Sequence, residues 1–227
     1  MQIVHQILPG EATRALFRKV SENGFDYCAV GVKGPLPIAS PQVFMENNYP
    51  IEWQERYLNK NYLTIDPTVK RALSISLTLM RWDPDLFIDA KSFWRDAQDH
   101  GLRHGISISS RLQGSGTILL SVSRSSGLIS DKEMHVQRGI LLAMLLDLVT
   151  THSIDSLPRA SRGPVRLSPR ELEILRLSAD GLTTAHIAFL LSIMPRSVTF
   201  HLSNIALKLE ASNKTHSVAK AISLGLL

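Results

Sequence analysis

Residues 167–210 read LSPRELEILRLSADGLTTAHIAFLLSIMPRSVTFHLSNIALKLE, and their punctuation divides the stretch into helices. Ser168, Pro169 and Glu171 stand at capping-box spacing: Ser168 accepts from a free first-turn N–H, while Glu171 reaches back to the Ser168 N–H. Pro169 suits the first helical turn and Gly181 a left-handed stop. The spacing predicts a helix with Leu172, Leu175 and Ala179 on its apolar face. A second short helix follows in TTAHIAFLLSI, capped by Thr183, with Ile187, Ala188 and Leu191 facing inward. A third starts at Pro195, a first-turn proline rather than a breaker. Val198, Leu202, Ile205 and Leu209 repeat at four, three, four and form its buried side. THSVAKAISLGLL closes the chain as a fourth helix. Three short helices with a tight turn before the third have the layout of a helix-turn-helix, whose later helix enters the major groove of DNA.

Charge agrees with that layout. The 227 residues carry a formal net charge of +5. Residues 1–158 balance acid and base, whereas 159–227 hold nine Lys plus Arg against four Asp plus Glu, so the last third carries the whole excess. A small basic unit beside a neutral larger one points to an anionic partner such as nucleic acid. Between them THSIDSLPRASRGPVR, 151–166, is rich in Ser, Pro, Gly and Arg and lacks an apolar period. The expected organisation is therefore a domain at 1–152, a linker at 153–166 and a second domain at 167–227. The lone Cys28 excludes an internal disulfide framework and fits a reducing compartment. MQIVHQILPGEATR lacks the layout of a signal peptide, and the longest apolar run, GILLAMLLDLV at 139–149, is broken by Asp147 and too short to cross a bilayer. The expectation is a cytoplasmic protein with no membrane partner.

LSPRELEIL, ADGLTTAHIAFLLSI, RSVTFHLSNIALKL and SNK together resemble the DNA-binding domain of LuxR-type transcription factors, a likeness covering 165–227. Glu171, Leu175 and Gly181, four and then six residues apart, match that family's most characteristic trio. The resemblance implies that Arg196, Thr199, Ser203 and Asn204 face base edges, with His201, Lys208 and Lys214 toward phosphates. Base contacts specify and phosphate contacts position. The chain departs from the family pattern at Met194, where a capping Ser or Thr is usual, and at His186, where the second helix usually has Glu. Thr199 and Ser203 stand where some relatives hold Arg or Lys.

The first 152 residues mix strand and helix signals. YCAVGVK, GISISSRL and TILLSVSR are β-rich, with alternation through Ile106, Ile108, Ser110 and Leu112. Helices are expected at 11–23, 50–60, 66–76, 89–101 and 131–152. The fold class expected is α+β: an N-terminal α/β/α sandwich with a mainly antiparallel sheet, followed by a four-helix helix-turn-helix domain. In NYPIEWQERYLNKNYLTIDP, Tyr49, Trp53 and Tyr57 step by four, and Asp66 precedes a first-turn Pro67. Taken alone, an aromatic stripe is core and Asp-Pro is a helix cap.

Trp53, Tyr57, Asp66 with Pro67, Trp82, and Gly105 in HGLRHGISI resemble the autoinducer-binding domain of the same LuxR-type family, over roughly 20–150. That domain binds N-acyl homoserine lactones: uncharged molecules with an apolar tail, an amide N–H, an acyl carbonyl and a lactone carbonyl. The resemblance implies that Asp66 accepts from the amide N–H and the Trp53 indole donates to the lactone carbonyl. Tyr49 would donate to the acyl carbonyl with Ser121 as second donor, while Tyr57 and Trp82 wall the head group. Each group matches its partner as donor or acceptor. DYCAVGV places Cys28, Ala29 and Lys33 on a strand where some relatives offer a polar ligand contact; Ala29 offers none, and Cys28 reads as a small buried hydrophobe.

The expected function is a ligand-responsive transcriptional regulator in quorum sensing. Its expected partners are double-stranded DNA bearing a palindromic site, a small-molecule autoinducer, a second copy in a homodimer, and RNA polymerase. By the family's dimers, the 131–152 helix and the last helix build the interface. The alternative keeps the DNA-binding domain but has it answer another small molecule, or none. An enzyme is not expected: G-x-S-x-G, Walker and metal-binding patterns are absent, so no catalytic residue, metal or cofactor is assigned. His100 and His104, four apart, read as surface residues of one helix.

Overall fold

A computed structural model describes residues 2–6, 11–37, 39, 41–112, 116–151 and 165–227. Almost all of the expected linker at 153–166 lies outside these. The described residues divide into two compact units, one of residues up to 151 and one of residues 165–227.

The first unit is built on a six-stranded sheet of β1 (Gln2–Gln6), β2 (Tyr27–Lys33), β3 (Gln42–Asn47), β4 (Leu77–Arg81), β5 (His104–Leu112) and β6 (Gly116–Arg124), in the spatial order β1-β3-β2-β6-β5-β4. β1 runs parallel to β3, and every other pairing is antiparallel. The helices are α1 (Glu11–Glu22), α2 (Ile51–Asn59), α3 (Pro67–Ser74), α4 (Lys91–Asp99) and α5 (Asp131–Thr151), close to the expected ranges. Strands β1, β3 and β4 had no expectation. β1 and β4 lie at the sheet edges, and five- or six-residue segments carry little periodicity.

Side-chain alternation gives the sheet two unlike faces. Cys28 and Val30, Ile106 and Ile108, and Ile118, Leu120 and Val122 point one way, into a core with Leu16 and Val20 of α1 and Leu141, Met144, Leu145 and Leu148 of α5. Each fully buried side chain there contributes about 1.5–3 kcal/mol. Apart from Leu119, the intervening residues of these three strands are small or polar: Ala29 and Gly31, Ser107 and Ser109, Thr117 and Ser121. This second face is covered by α2, α3 and α4, whose Trp53, Tyr57, Phe93 and Ala97 form a separate aromatic cluster with Phe87 and Leu102. Small residues beneath large ones leave space, so one face of the sheet is solid core and the other a pocket floor.

The second unit packs α6 (Pro169–Ala179), α7 (Thr184–Leu190), α8 (Pro195–Leu209) and α9 (Lys214–Ser223) around Ile174, Leu175, Ile187, Val198, Ile205 and Leu209. The Ser168–Glu171 capping box forms with both bonds, Gly181 takes φ +86°, and Thr183 caps α7. Pro195 opens α8, and Met194 before it makes no side-chain cap bond. The inner stripe of α6 differs from the expected Leu172–Leu175–Ala179. Its buried residues are Glu171, Ile174, Leu175 and Ser178, while Ala179 is exposed. Ile174 and Leu175, both fully buried, turn this face inward, and Glu171 beside them is paired by Lys208 of α8, which donates to its Oε2 at 2.6 Å.

Candidate functional site

The pocket over the small-residue face has about 940 Å³ of empty space, counting its open mouth. Register shows how its floor is laid out. Across β3, β2, β6 and β5 run Asn47, Ala29, Ser121 and Ser107 as one row. Two residues along each of the first three strands, roughly 7 Å, lie Met45, Gly31 and Leu119, then Val43, Lys33 and Thr117. The floor thus grades from a polar row into a mostly apolar trough. All six residues assigned to a ligand from the sequence, Tyr49, Trp53, Tyr57, Asp66, Trp82 and Ser121, line this one cavity.

Asp66 sits at the mouth of α3 as its N-cap, 8% exposed. Its Oδ1 accepts from the Thr68 N–H at 2.8 Å and hydroxyl at 2.7 Å, and its Oδ2 from the Tyr57 hydroxyl at 3.0 Å. Burial pushes the carboxyl above its ordinary value, and the Thr68 and Tyr57 bonds only partly oppose this. Burial likewise drives the Tyr49 and Tyr57 phenols well up, so both are neutral donors at any physiological pH. Trp53 is buried in a cage of Tyr57, Tyr62, Phe93 and His100, with ring centroids 5.6–5.8 Å away. Tyr62 is itself held by Asp96, which also takes the Arg56 guanidinium at 2.7 Å. Those two bonds hold the Asp96 carboxyl down at about 2. Among the described residues, neither the Trp53 indole N–H nor the Tyr49 hydroxyl has a hydrogen-bond partner.

Trp82 lies flat over Gly105. A Cβ there would meet the indole at 2.4 Å, so only glycine permits the placement. Its N–H donates to Ser107 Oγ at 2.8 Å, and Ser107 Oγ lies 2.8 Å from Ser121 Oγ. Sequence reasoning missed several residues here. Trp94 stacks on Phe87 with centroids 4.2 Å apart and planes 2° from parallel, a pairing with no local signal. Thr68 anchors Asp66. Asn47 lines the pocket with a buried amide nitrogen that has no partner among the described residues. Ser107 was legible in principle, since GISIS alternates and its serines must face away from Ile106 and Ile108. His100 and His104 are not one helix's surface pair: His100 ends α4 half-buried against Trp53, and His104 begins β5.

On α8 the exposed stripe is Arg196, Thr199, Phe200, Ser203 and Leu207. Phe200 is 63% and Leu207 76% exposed, two large apolar side chains that the sequence reading did not assign. Thr199 Oγ1 donates back to the Pro195 carbonyl at 3.2 Å. His201 and Asn204 flank the stripe half-buried. Lys208 is engaged with Glu171, and Lys214 donates to the Leu182 carbonyl, so both tie α8 and α9 into the unit. Among the described residues no group of three His, Cys, Asp or Glu could hold a metal ion, and no helix is long and apolar enough to cross a membrane.

A pocket of fixed donors and acceptors in one unit and a helix-turn-helix in the other define a small-molecule-binding, DNA-binding regulator. Residues 9–152 match the autoinducer binding domain family, and 165–221 match the luxR family of bacterial regulatory proteins. The quorum-sensing regulator RhlR of Pseudomonas aeruginosa is 37% identical over 213 residues, 93% of this chain and 88% of RhlR. The solved structure of SdiA, a regulatory protein of Escherichia coli, in complex with octanoyl-rac-glycerol superposes with TM-score 0.77 at 33% identity, over 95% of this chain and 88% of SdiA. The N-acylhomoserine lactone dependent factor CepR2 of Burkholderia cenocepacia superposes with TM-score 0.54 at 27% identity, over 63% of this chain and 82% of CepR2. The chain belongs to the LuxR-type quorum-sensing transcriptional regulators, which bind an autoinducer and DNA.

Proposed function

We propose that this regulator binds an N-acyl homoserine lactone through residues 1–152 and, as a homodimer, a palindromic promoter site through 167–227, with 153–166 as the linker. The observation that carries the reading is the pocket's complement of polar groups. Asp66 accepts from the amide N–H. Trp53 donates to the lactone carbonyl, Tyr49 and Ser121 donate to the acyl carbonyl, and Tyr57 and Trp82 wall the head group. The trough beyond Gly31 takes the tail. CepR2, similar in fold over this region, is lactone dependent. A ligand that binds only the folded state stabilises it by about 2.7 kcal/mol at a hundred times its dissociation constant, which gives the mechanism: ligand sets the amount of folded, DNA-competent dimer.

For the dimer, α5 offers Val136, Leu142 and Leu146 and α9 offers Ile222, all exposed. On DNA, Arg196, Thr199, Ser203 and Asn204 read bases, while His201, Lys208 and Lys214 meet the backbone, the two lysines through the ammonium protons that Glu171 and the Leu182 carbonyl do not take. RNA polymerase is the onward partner, and the cytoplasm, where promoter DNA lies, is the site of action. No catalytic role is assigned; turnover of a lactone by purified protein would contradict this.

The test is thermal unfolding with lactones of graded acyl length, beside Asp66→Asn. A length-dependent rise that Asp66→Asn abolishes supports the reading; no rise with any lactone refutes it. A second reading, an acylglycerol ligand, is favoured by the SdiA complex. Octanoyl-rac-glycerol in the same assay separates the two by which compound raises the wild-type melting temperature; its hydroxyls can donate to Asp66 in place of an amide N–H, so Asp66→Asn alone does not.

A further inference from the structure

Ser107 ends the polar row of the floor but does not itself line the cavity. It is fully buried on β5, and its register partner on β6 is Ser121. Its hydroxyl lies between two groups, the Trp82 indole nitrogen at 2.8 Å and Ser121 Oγ at 2.8 Å. An indole N–H can only donate, so Ser107 Oγ must accept from Trp82. The remaining question is where the Ser107 proton goes. Among the described residues Ser121 Oγ is its one other neighbour within hydrogen-bond distance. Were Ser121 to donate to Ser107 instead, the Ser107 proton would be buried with no acceptor, a penalty of about 1–3 kcal/mol. The satisfied arrangement is a one-way chain: Trp82 N–H to Ser107, Ser107 O–H to Ser121.

That chain leaves the Ser121 proton as the free end, on a side chain that lines the cavity. We infer that Ser107 is a positioning residue: with Trp82 it leaves the Ser121 proton free to donate into the pocket, which favours an acceptor oxygen beside Ser121 over an N–H or O–H. Each bond in such a chain polarises the next, so Ser121 donates more strongly than an isolated serine. Gly105 belongs to the same device, since a side chain there would displace the indole that starts the chain. The inference rests on the lactone reading above, in which Ser121 meets the acyl carbonyl.

The test is a double-mutant cycle in the full-length protein: wild type, Ser107→Ala, Ser121→Ala and the pair, titrated with the N-acyl homoserine lactone that raises the wild-type melting temperature most. Ser107→Thr is added because it keeps the hydroxyl. The expected result is about tenfold weaker binding for Ser107→Ala, no further loss when it is added to Ser121→Ala, and tighter binding by Ser107→Thr than by Ser107→Ala. Wild-type affinity in Ser107→Ala overturns the inference. So does an equal loss in the Ser121→Ala background, which would mark a packing effect independent of the relay, and so does a Thr variant as weak as the Ala one. Failure of every lactone to bind the wild type overturns the lactone reading and the inference together.

Discussion

Two strand glycines share the pocket side of the sheet and predict opposite outcomes for one added methyl. A Cβ at Gly105 would lie 2.4, 2.5 and 2.8 Å from Cδ2, Cε3 and Cε2 of Trp82, whereas a Cβ at Gly31 meets nothing within 4 Å. Neither glycine has a positive φ, so alanine suits both backbones. Gly105→Ala must therefore move the indole. Forcing a methyl into packed atoms costs about 1–3 kcal/mol, and loss of the Trp82–Ser107 bond adds about 0.5–1.5 kcal/mol. The stiffer unfolded chain returns about 0.4–1 kcal/mol. The net is a destabilisation of about 2 kcal/mol. With a urea m-value of about 2 kcal/mol/M, the midpoint falls by about 1 M. Trp53, Trp82 and Trp94 are the chain's three tryptophans and all line the pocket, so tryptophan fluorescence follows unfolding of this unit alone. Gly31→Ala should leave the midpoint unchanged or slightly raised and, on the proposed reading that the trough takes the acyl tail, weaken the longest-chain lactones first. If Gly105→Ala unfolds at the wild-type midpoint, or Gly31→Ala falls as far, steric placement of the indole is not what selects glycine at 105.

Three further outcomes follow from the charges and burial. Asp66 holds its proton more tightly folded than unfolded, so its contribution to ligand-free stability falls as pH rises from the unfolded value through the raised one. On the proposed reading, in which the Asp66 carboxylate accepts from the lactone amide, lactone affinity should rise over the same window; wild type minus Asp66→Asn, by melting temperature and titration, isolates both slopes, and parallel slopes would contradict the assignment. Burial alone would raise Glu171, but the Lys208 ammonium and the Ser168 N–H outweigh it and hold the carboxyl below its usual value. Its contribution is therefore present above the unfolded value and lost as pH falls through the folded one, and Glu171→Gln should lower protection of α6 and α8 amides in hydrogen exchange by about tenfold (about 1.4 kcal/mol). Burial also drives the Cys28 thiol far up, so native protein should resist a maleimide at pH 8 and react only on unfolding.

Helix punctuation in this chain is local and therefore legible. Ser168 with Glu171, Thr183, Asp66 with Pro67 and Pro195 each start a helix, and Gly181 ends one, within four residues, so these starts and the stop of α6 are written in the chain itself. Alternation in YCAVGVK and GISIS likewise determined that those strands have one apolar and one small face. It could not determine what the small face meets. Asn47, Ala29, Ser121 and Ser107 come from four strands spread over 93 positions of sequence, and only the register of β3, β2, β6 and β5 brings them into one row. The same holds for Glu171 and Lys208, 37 residues apart, whose ion pair joins α6 to α8. Local hydrogen bonding and periodicity are written within a few residues of chain. The direction in which Ser121 donates and the face on which Trp82 lies depend on contacts between distant segments, which exist only once the sheet has closed.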